Sequence, residues 1–281
     1  MDGCRARTTL RTTDRTQPDG MGLNYPLHGS GSRTVVFLHG LAGYSGEWDR
    51  TMTALGSEFT TVALDQRGHG SSCRDPADIS REAFVADVVT VLDELDCREP
   101  VTLVGQSMGA HTAFLTAAWH PQRVGWLVMV EGDVGGGGDA AADALRAALD
   151  GLPSRFDSYE QARDFFGGDT ETGHVWAGNY EPDEDGWRAR FDRRVMEAVM
   201  VPVFATERWD EWLSLRVPTT LVLGEHGVLD AARVERMCAA RPETARVVIP
   251  NAGHDVHLAQ PEAWIDTLRH ILAGAVPPTD E

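Results

Sequence analysis

The sequence predicts an α/β protein built on a doubly wound, mostly parallel sheet, and two observations carry that prediction. Six short apolar runs, "RTVVFLHG", "FTTVALD", "VTLVGQS", "VGWLVMVEG", "TTLVLGE" and "ARVVIPN", each end in Gly, Asp or a polar residue. They are near-continuous in hydrophobicity, the pattern of parallel strands covered on both faces. Helical patterns lie between most of them, so strand and helix alternate along the chain.

Taken in order, the first 21 residues, beginning "MDGCRARTTLRTTDRTQPDG", are polar and lack the apolar centre of a secretory signal. A loose tail on a cytoplasmic protein is expected. "LNYPLHG", from Leu23, reads as a leading antiparallel or edge strand. "SREAFVADVVTVLDEL" follows a Ser at the N-cap position and places Phe84, Val88, Val91, Leu92 and Leu95 on one helical face. The alternation breaks between Val134 and about Arg216. That stretch opens on four glycines and continues as helices such as "AAADALRAALDG" and "SYEQARDFFGG". It holds Trp176, Trp187, Trp209 and Trp212 and is expected to form a helical lid over a pocket, inserted into a core of residues 22–133 and 217–275.

The 281 residues suffice for a substantial core. No apolar run approaches the roughly 20 residues of a membrane helix. The formal charge is −18 and every basic residue is Arg. So acidic a surface repels phosphate backbones and anionic membranes, which argues against both as partners and leaves a small-molecule substrate. Cys4, Cys73, Cys97 and Cys238 are scattered, with no CxxC pair and no metal-ligand spacing, so reduced thiols and no metal are expected.

Chemistry concentrates at strand ends. In "VTLVGQSMGAHTAF" an apolar strand runs through Gly105-Gln106-Ser107-Met108-Gly109 into an Ala-rich helix. A turn that sharp leaves no room for side chains beside the nucleophile, and it holds Ser107 at a helix N-terminus that favours developing negative charge. "VVFLHGLAGYSGEW" ends an earlier strand, where the N–H of Leu41 can meet that of Met108 around an oxyanion. "VVIPNAGHDVHL" supplies His254 as general base on a loop leaving the last strand. His257 belongs to the helical segment that follows, His111 reads as a packed or capping residue, and His69 in "LDQRGHGSS" as a loop residue.

These stretches resemble the α/β-hydrolase superfamily, in its lid-bearing branch of small serine hydrolases, from about residue 22 to 273. The resemblance implies an eight-stranded sheet with a helical cap after the sixth strand. It also implies nucleophile Ser107, base His254, oxyanion donors Leu41 and Met108, and no metal or cofactor. Relatives that open epoxides or displace halide use a carboxylate nucleophile, so Ser107 points instead to acyl transfer. The expected function is hydrolysis of an ester, thioester or related carbonyl bond of a small apolar or aromatic substrate through an acyl-enzyme. Alternatives are a thioesterase on carrier-bound acyl groups, since "GQSMGA" resembles editing thioesterases, a carbon–carbon bond hydrolase, and a non-catalytic ligand-binding protein.

One position departs from the pattern. In most relatives the acid stands three residues after the Gly ending the seventh strand; in "TTLVLGEHGVLD" that position is Gly227. Glu225 and His226 match the offset poorly. Asp230 stands where an Asp caps the helix of "AARVERMCAAR". Glu131 ends the strand beside the nucleophile's, where some dehalogenase relatives carry their acid, and it is the expected third member. Asp133 is close enough to substitute.

Overall fold

The computed structural model describes residues 15–16 and 22–274. Cys4 and nearly all of the expected N-terminal tail lie outside them. The strands are β1 (Arg15–Thr16), β2 (Gly22–Leu23), β3 (Leu27–Gly29), β4 (Arg33–Leu38), β5 (Phe59–Leu64), β6 (Val101–Gln106), β7 (Val124–Val130), β8 (Arg155–Phe156), β9 (Tyr180–Asp183), β10 (Gly186–Ala189), β11 (Thr219–Gly224) and β12 (Ala245–Ile249). The helices are α1 (Asp49–Leu55), α2 (Arg81–Glu94), α3 (Met108–Trp119), α4 (Gly138–Asp150), α5 (Tyr159–Phe165), α6 (Glu171–Gly178), α7 (Arg193–Ala205), α8 (Trp209–Ser214), α9 (Ala231–Ala240), α10 (Val256–Ala259) and α11 (Pro261–Leu272).

The main sheet runs β12-β11-β7-β6-β4-β5-β3, parallel throughout except for β3, which pairs antiparallel with β5 at the edge. All six apolar runs are strands of this sheet, and "LNYPLHG" contributes its edge strand. The sheet has seven strands among the described residues, not eight. Gly22–Leu23 pairs instead with Arg15–Thr16 in a separate two-stranded ladder. Between that ladder and β3 the chain follows β5 only through isolated bonds, Asp65 N–H to Asn24 O and Ala63 N–H to Pro26 O. Pro26, with no N–H of its own, cannot continue a ladder.

Alternation along β4 shows why the strands are apolar throughout. Val36 and Leu38 face the layer of α2 and α3, while Val35 and Phe37 face Trp48, Trp264 and the layer of α1 and α11. Ser80 caps α2 by accepting from Ala83 N–H, and the helix buries Phe84, Val88, Val91 and Leu92. Beneath it, Arg67 Nε and Nη2 donate to Asp87 Oδ2 and Oδ1 at 2.7 and 2.6 Å. This two-pronged pair is buried on both sides.

Residues 138–214 are not purely helical. β8, β10 and β9 form a small antiparallel sheet with its own aromatic cluster around Phe156 and Tyr180. These strands are two to four residues long and partly charged, too short and too polar for a periodic signal. The four tryptophans also separate. Trp212 is fully buried in the main core, where its Nε1–H donates to Met237 O, and Trp209 packs against the same cluster. Trp187 joins the small sheet, and Trp176 faces the cavity described below.

Removing one partner of a buried ion pair strands the other charge. Asp87→Ala is therefore expected to lower folding stability by about 3–5 kcal/mol, read from urea denaturation.

Candidate active site

Ser107 stands between β6 and α3 with φ 51° and ψ −114°, outside the usual regions for a side-chain-bearing residue. The flanking glycines make that turn possible. A Cβ on Gly105 would overlap the Gly109 backbone, and one on Gly109 would overlap Leu38 O. The turn is tied down from both sides: Ser107 N–H donates to Val130 O at 2.9 Å, and His111 N–H donates to Ser107 O at 3.1 Å. Met108 opens α3, so its N–H has no helical carbonyl to bond.

The Gly40–Tyr44 turn lies across from this elbow. Gly43 N–H closes it on Gly40 O at 3.1 Å, and Ala42 takes φ 56°. Asn179, almost wholly buried, donates its side-chain N–H to Ala42 O. Behind the turn, His39 Nδ1 bonds Gly40 O at 2.7 Å while its Nε2 accepts from Gln66 N–H at 3.0 Å. Burial lowers the pKa of His39 to about 4, so it stays neutral and rigid.

Glu131 follows β7 at φ 47° and is 2 % exposed. Its Oε1 accepts from Gly224 N–H and its Oε2 from Val228 N–H, both at 2.9 Å. Oε2 also lies 3.4 Å from His254 Nδ1. Burial raises its pKa, but bonds from His254, Gly224 and Val228 outweigh that and hold the carboxyl below the ordinary range. The vacancy at Gly227 has a steric cause, because a Cβ there would overlap the Glu131 carboxyl. Glu131 thus fills the space that a side chain at 227 would need.

The other candidate acids are occupied elsewhere. Asp230 caps α9, its Oδ1 accepting from Ala232 N–H at 3.0 Å. Asp133 accepts from Gly135 N–H at 2.8 Å and lies 3.4 Å from Arg233. Glu225 accepts from Asn251 N–H. His69 is buried in its loop against Arg67 O.

Leu41, Ser107, Met108, Glu131, Asp133 and His254 all border one cavity of about 570 Å³. Its far wall is apolar. One face of α4 supplies Ala141, Ala144, Leu145, Ala148 and Leu149 at helical spacing, and α7 supplies Met200, Val203 and Phe204. Among the described residues Arg233 is the one Arg on the wall, and its guanidinium is engaged by Gly135 O, Glu207 and Asp133. His111 also borders the cavity, and neither of its ring nitrogens has a hydrogen-bond partner. Gln106, which no sequence signal singles out, donates to His254 O at 3.1 Å and fixes the His254 loop to the elbow. No cluster of potential metal ligands is present among the described residues, and no helix among them is long and apolar enough to cross a membrane.

The family model for the alpha/beta hydrolase family matches residues 35–267. The chain is similar to 2-(acetamidomethylene)succinate hydrolase of Mesorhizobium japonicum, with 26% identity over 257 residues covering 89% of this chain and 91% of that protein. It is also similar to N-formylmaleamate deformylase of Pseudomonas putida, with 26% identity over 242 residues covering 84% and 87% of the two chains. The crystal structure of E-2-(acetamidomethylene)succinate hydrolase matches with a TM-score of 0.83 at 25% identity, covering 94% of this chain and 99% of that one.

Because Gly227 and Glu131 contend for one volume, Gly227→Ala is expected to push the carboxyl off its two backbone donors. The expected cost is about 1–3 kcal/mol, measurable as a lowered midpoint of chemical unfolding.

Proposed function

The chain belongs to the alpha/beta hydrolase family and is a hydrolase, and from that premise we propose that it works through a serine acyl-enzyme. Ser107 Oγ attacks a carbonyl carbon while His254 takes its proton through Nε2. The oxyanion that forms is met by the N–H groups of Leu41 and Met108. Glu131 holds His254 through Nδ1, fixing the tautomer that leaves Nε2 free to accept and stabilising the imidazolium once it forms. After the alcohol, thiol or amine leaves with a proton from His254, the same base activates water against the acyl-enzyme.

The observation that carries this reading is the convergence of Ser107 with the Glu131–His254 pair on one cavity wall. The strain at Ser107 is of the kind stored at functional sites. Residues 134–216 act in this reading as a lid, since α4, α7 and Trp176 roof the cavity.

The proposed substrate is a small ester, thioester or related carbonyl compound whose acyl group is apolar. The aliphatic face of α4 and the full engagement of Arg233 support it, because no wall guanidinium stands free to pair with an acid group. The two named relatives likewise act on small molecules.

A fluorophosphonate probe is expected to label the wild type and leave Ser107→Ala unlabelled; labelling of the variant would exclude the serine mechanism. With p-nitrophenyl butyrate, Glu131→Gln is expected to lower kcat by roughly 10⁴-fold, the order of loss when an orienting acid is replaced. Asp230→Asn should stay within about threefold of wild type, as a helix cap acts on stability by only about 1 kcal/mol. Severe loss in Asp230→Asn alone would move the acid to the loop after β11.

A further inference from the structure

Two turns carry the proposed chemistry, Gly40–Tyr44 for the oxyanion and the His254 turn for the base. Directly after them come Glu47, in the single helical turn Ser45–Trp48, and His257, in α10. Glu47 Oε1 lies 3.5 Å from His257 Nε2, with the two side chains 8 % and 1 % exposed. Neither Glu47 Oε1 nor either ring nitrogen of His257 has a hydrogen-bond partner. The imidazole cannot turn away, because it stacks on Trp48 with ring centres 4.2 Å apart and planes 18° off parallel.

The other end of the Glu47 carboxyl faces the oxyanion turn. A Cβ on Gly43 would sit 2.6 Å from Oε2, so this oxygen lies against that turn. Burial, reinforced by the charge of Asp255, raises the pKa of Glu47 well above its ordinary value. Burial lowers that of His257 to about 4. Two groups that both resist charge, this close and with Glu47 Oε1 and the imidazole nitrogens otherwise unpartnered, satisfy each other by one arrangement, a carboxylic acid O–H aimed at an imidazole lone pair.

We propose that Glu47 and His257 are positioning residues, in which the Glu47 carboxylic acid donates to His257 Nε2 and this neutral link sets the oxyanion turn against the turn that carries His254. The inference rests on the serine mechanism proposed above for its catalytic consequence, and on the buried geometry alone for the link itself. Neither residue touches substrate. Their effect passes through the placement of Leu41 N–H and His254, groups whose interactions strengthen in the transition state, so the link acts on kcat more than on KM.

Infrared spectra and ester kinetics test the two parts separately. The wild type at neutral pH is expected to show a buried protonated-carboxyl C=O band that Glu47→Gln lacks; absence of the band overturns the link, whatever the enzyme hydrolyses. With p-nitrophenyl butyrate, Glu47→Leu and His257→Phe are each expected to lower kcat about tenfold or more while KM changes less than about twofold. Glu47→Gln, whose amide N–H can donate to Nε2, should keep kcat within about threefold of wild type, and the double variant Glu47→Leu/His257→Phe should be no worse than the poorer single. Wild-type kcat in Glu47→Leu or His257→Phe, or a Gln variant as poor as Leu, overturns the proposal. Should Glu47→Leu fail to fold, His257→Phe, which keeps the stack on Trp48, decides alone. Turnover persisting in Ser107→Ala marks failure of the serine mechanism instead, and the infrared band still decides the link.

Discussion

The carboxylate of Glu131 joins three segments far apart in sequence. It is anchored at the end of β7, accepts from the backbone on both sides of the turn after β11, and faces the imidazole of His254. Hydrogen bonds to a charged acceptor contribute about 1.5–3 kcal/mol each, against 0–1 for a typical surface ion pair. The carboxylate therefore has enough energy behind it to fix the β11 turn as well as the His254 ring. A carboxylate whose folded pKa is depressed stabilises the protein above its unfolded pKa. It loses that contribution as pH falls through the folded value, so the site's framework weakens only in acid.

Backbone strain follows the same geography. Of the five non-glycine residues at positive φ among the described residues, Ala42, Ser107 and Glu131 all border the cavity. Each costs on the order of 1–3 kcal/mol and persists only where its surroundings over-determine it. Here they do: Asn179 holds Ala42, Val130 O holds Ser107, and Val222 O accepts from Glu131 N–H. Ser107 and Glu131 directly follow Gln106 and Val130, paired ends of neighbouring parallel strands, so the sheet itself sets the spacing between the proposed nucleophile and the proposed acid.

What the sequence makes legible follows from which signals are local. A buried parallel strand announces itself by its own composition, and a strand–turn–helix elbow by its own glycines, so the main sheet, α2 with its Ser80 cap and the Ser107 turn are all readable. The strands β8 to β10 are not, since their stability comes from an aromatic cluster assembled by residues 156–191 rather than from periodicity. Aromatic density misleads for a related reason, because Trp209 and Trp212 share a stretch with Trp176 and Trp187 yet belong to the main core. Asn179 on Ala42 and Glu47 on His257 span 137 and 210 positions of chain, and nothing in the residues nearby marks either contact.

The proposed acid, Glu131, is an instructive intermediate case. Gly227 is visible as a vacancy, and Glu131 as a carboxylate at the correct edge of the sheet, but only the packing explains why the two go together. The Glu131 carboxyl occupies the volume a Cβ at 227 would need, and it takes up the N–H groups of Gly224 and Val228 on either side of that position. A second acid at 227 would have to displace the first and would bring like charges into one buried site, where both cannot remain ionised. In this structure a side chain at 227 and the Glu131 carboxyl therefore compete for one volume. With glycine at 227 that volume is open, and the longer reach of Glu over Asp lets the Glu131 carboxylate cross from the end of β7 to the turn after β11.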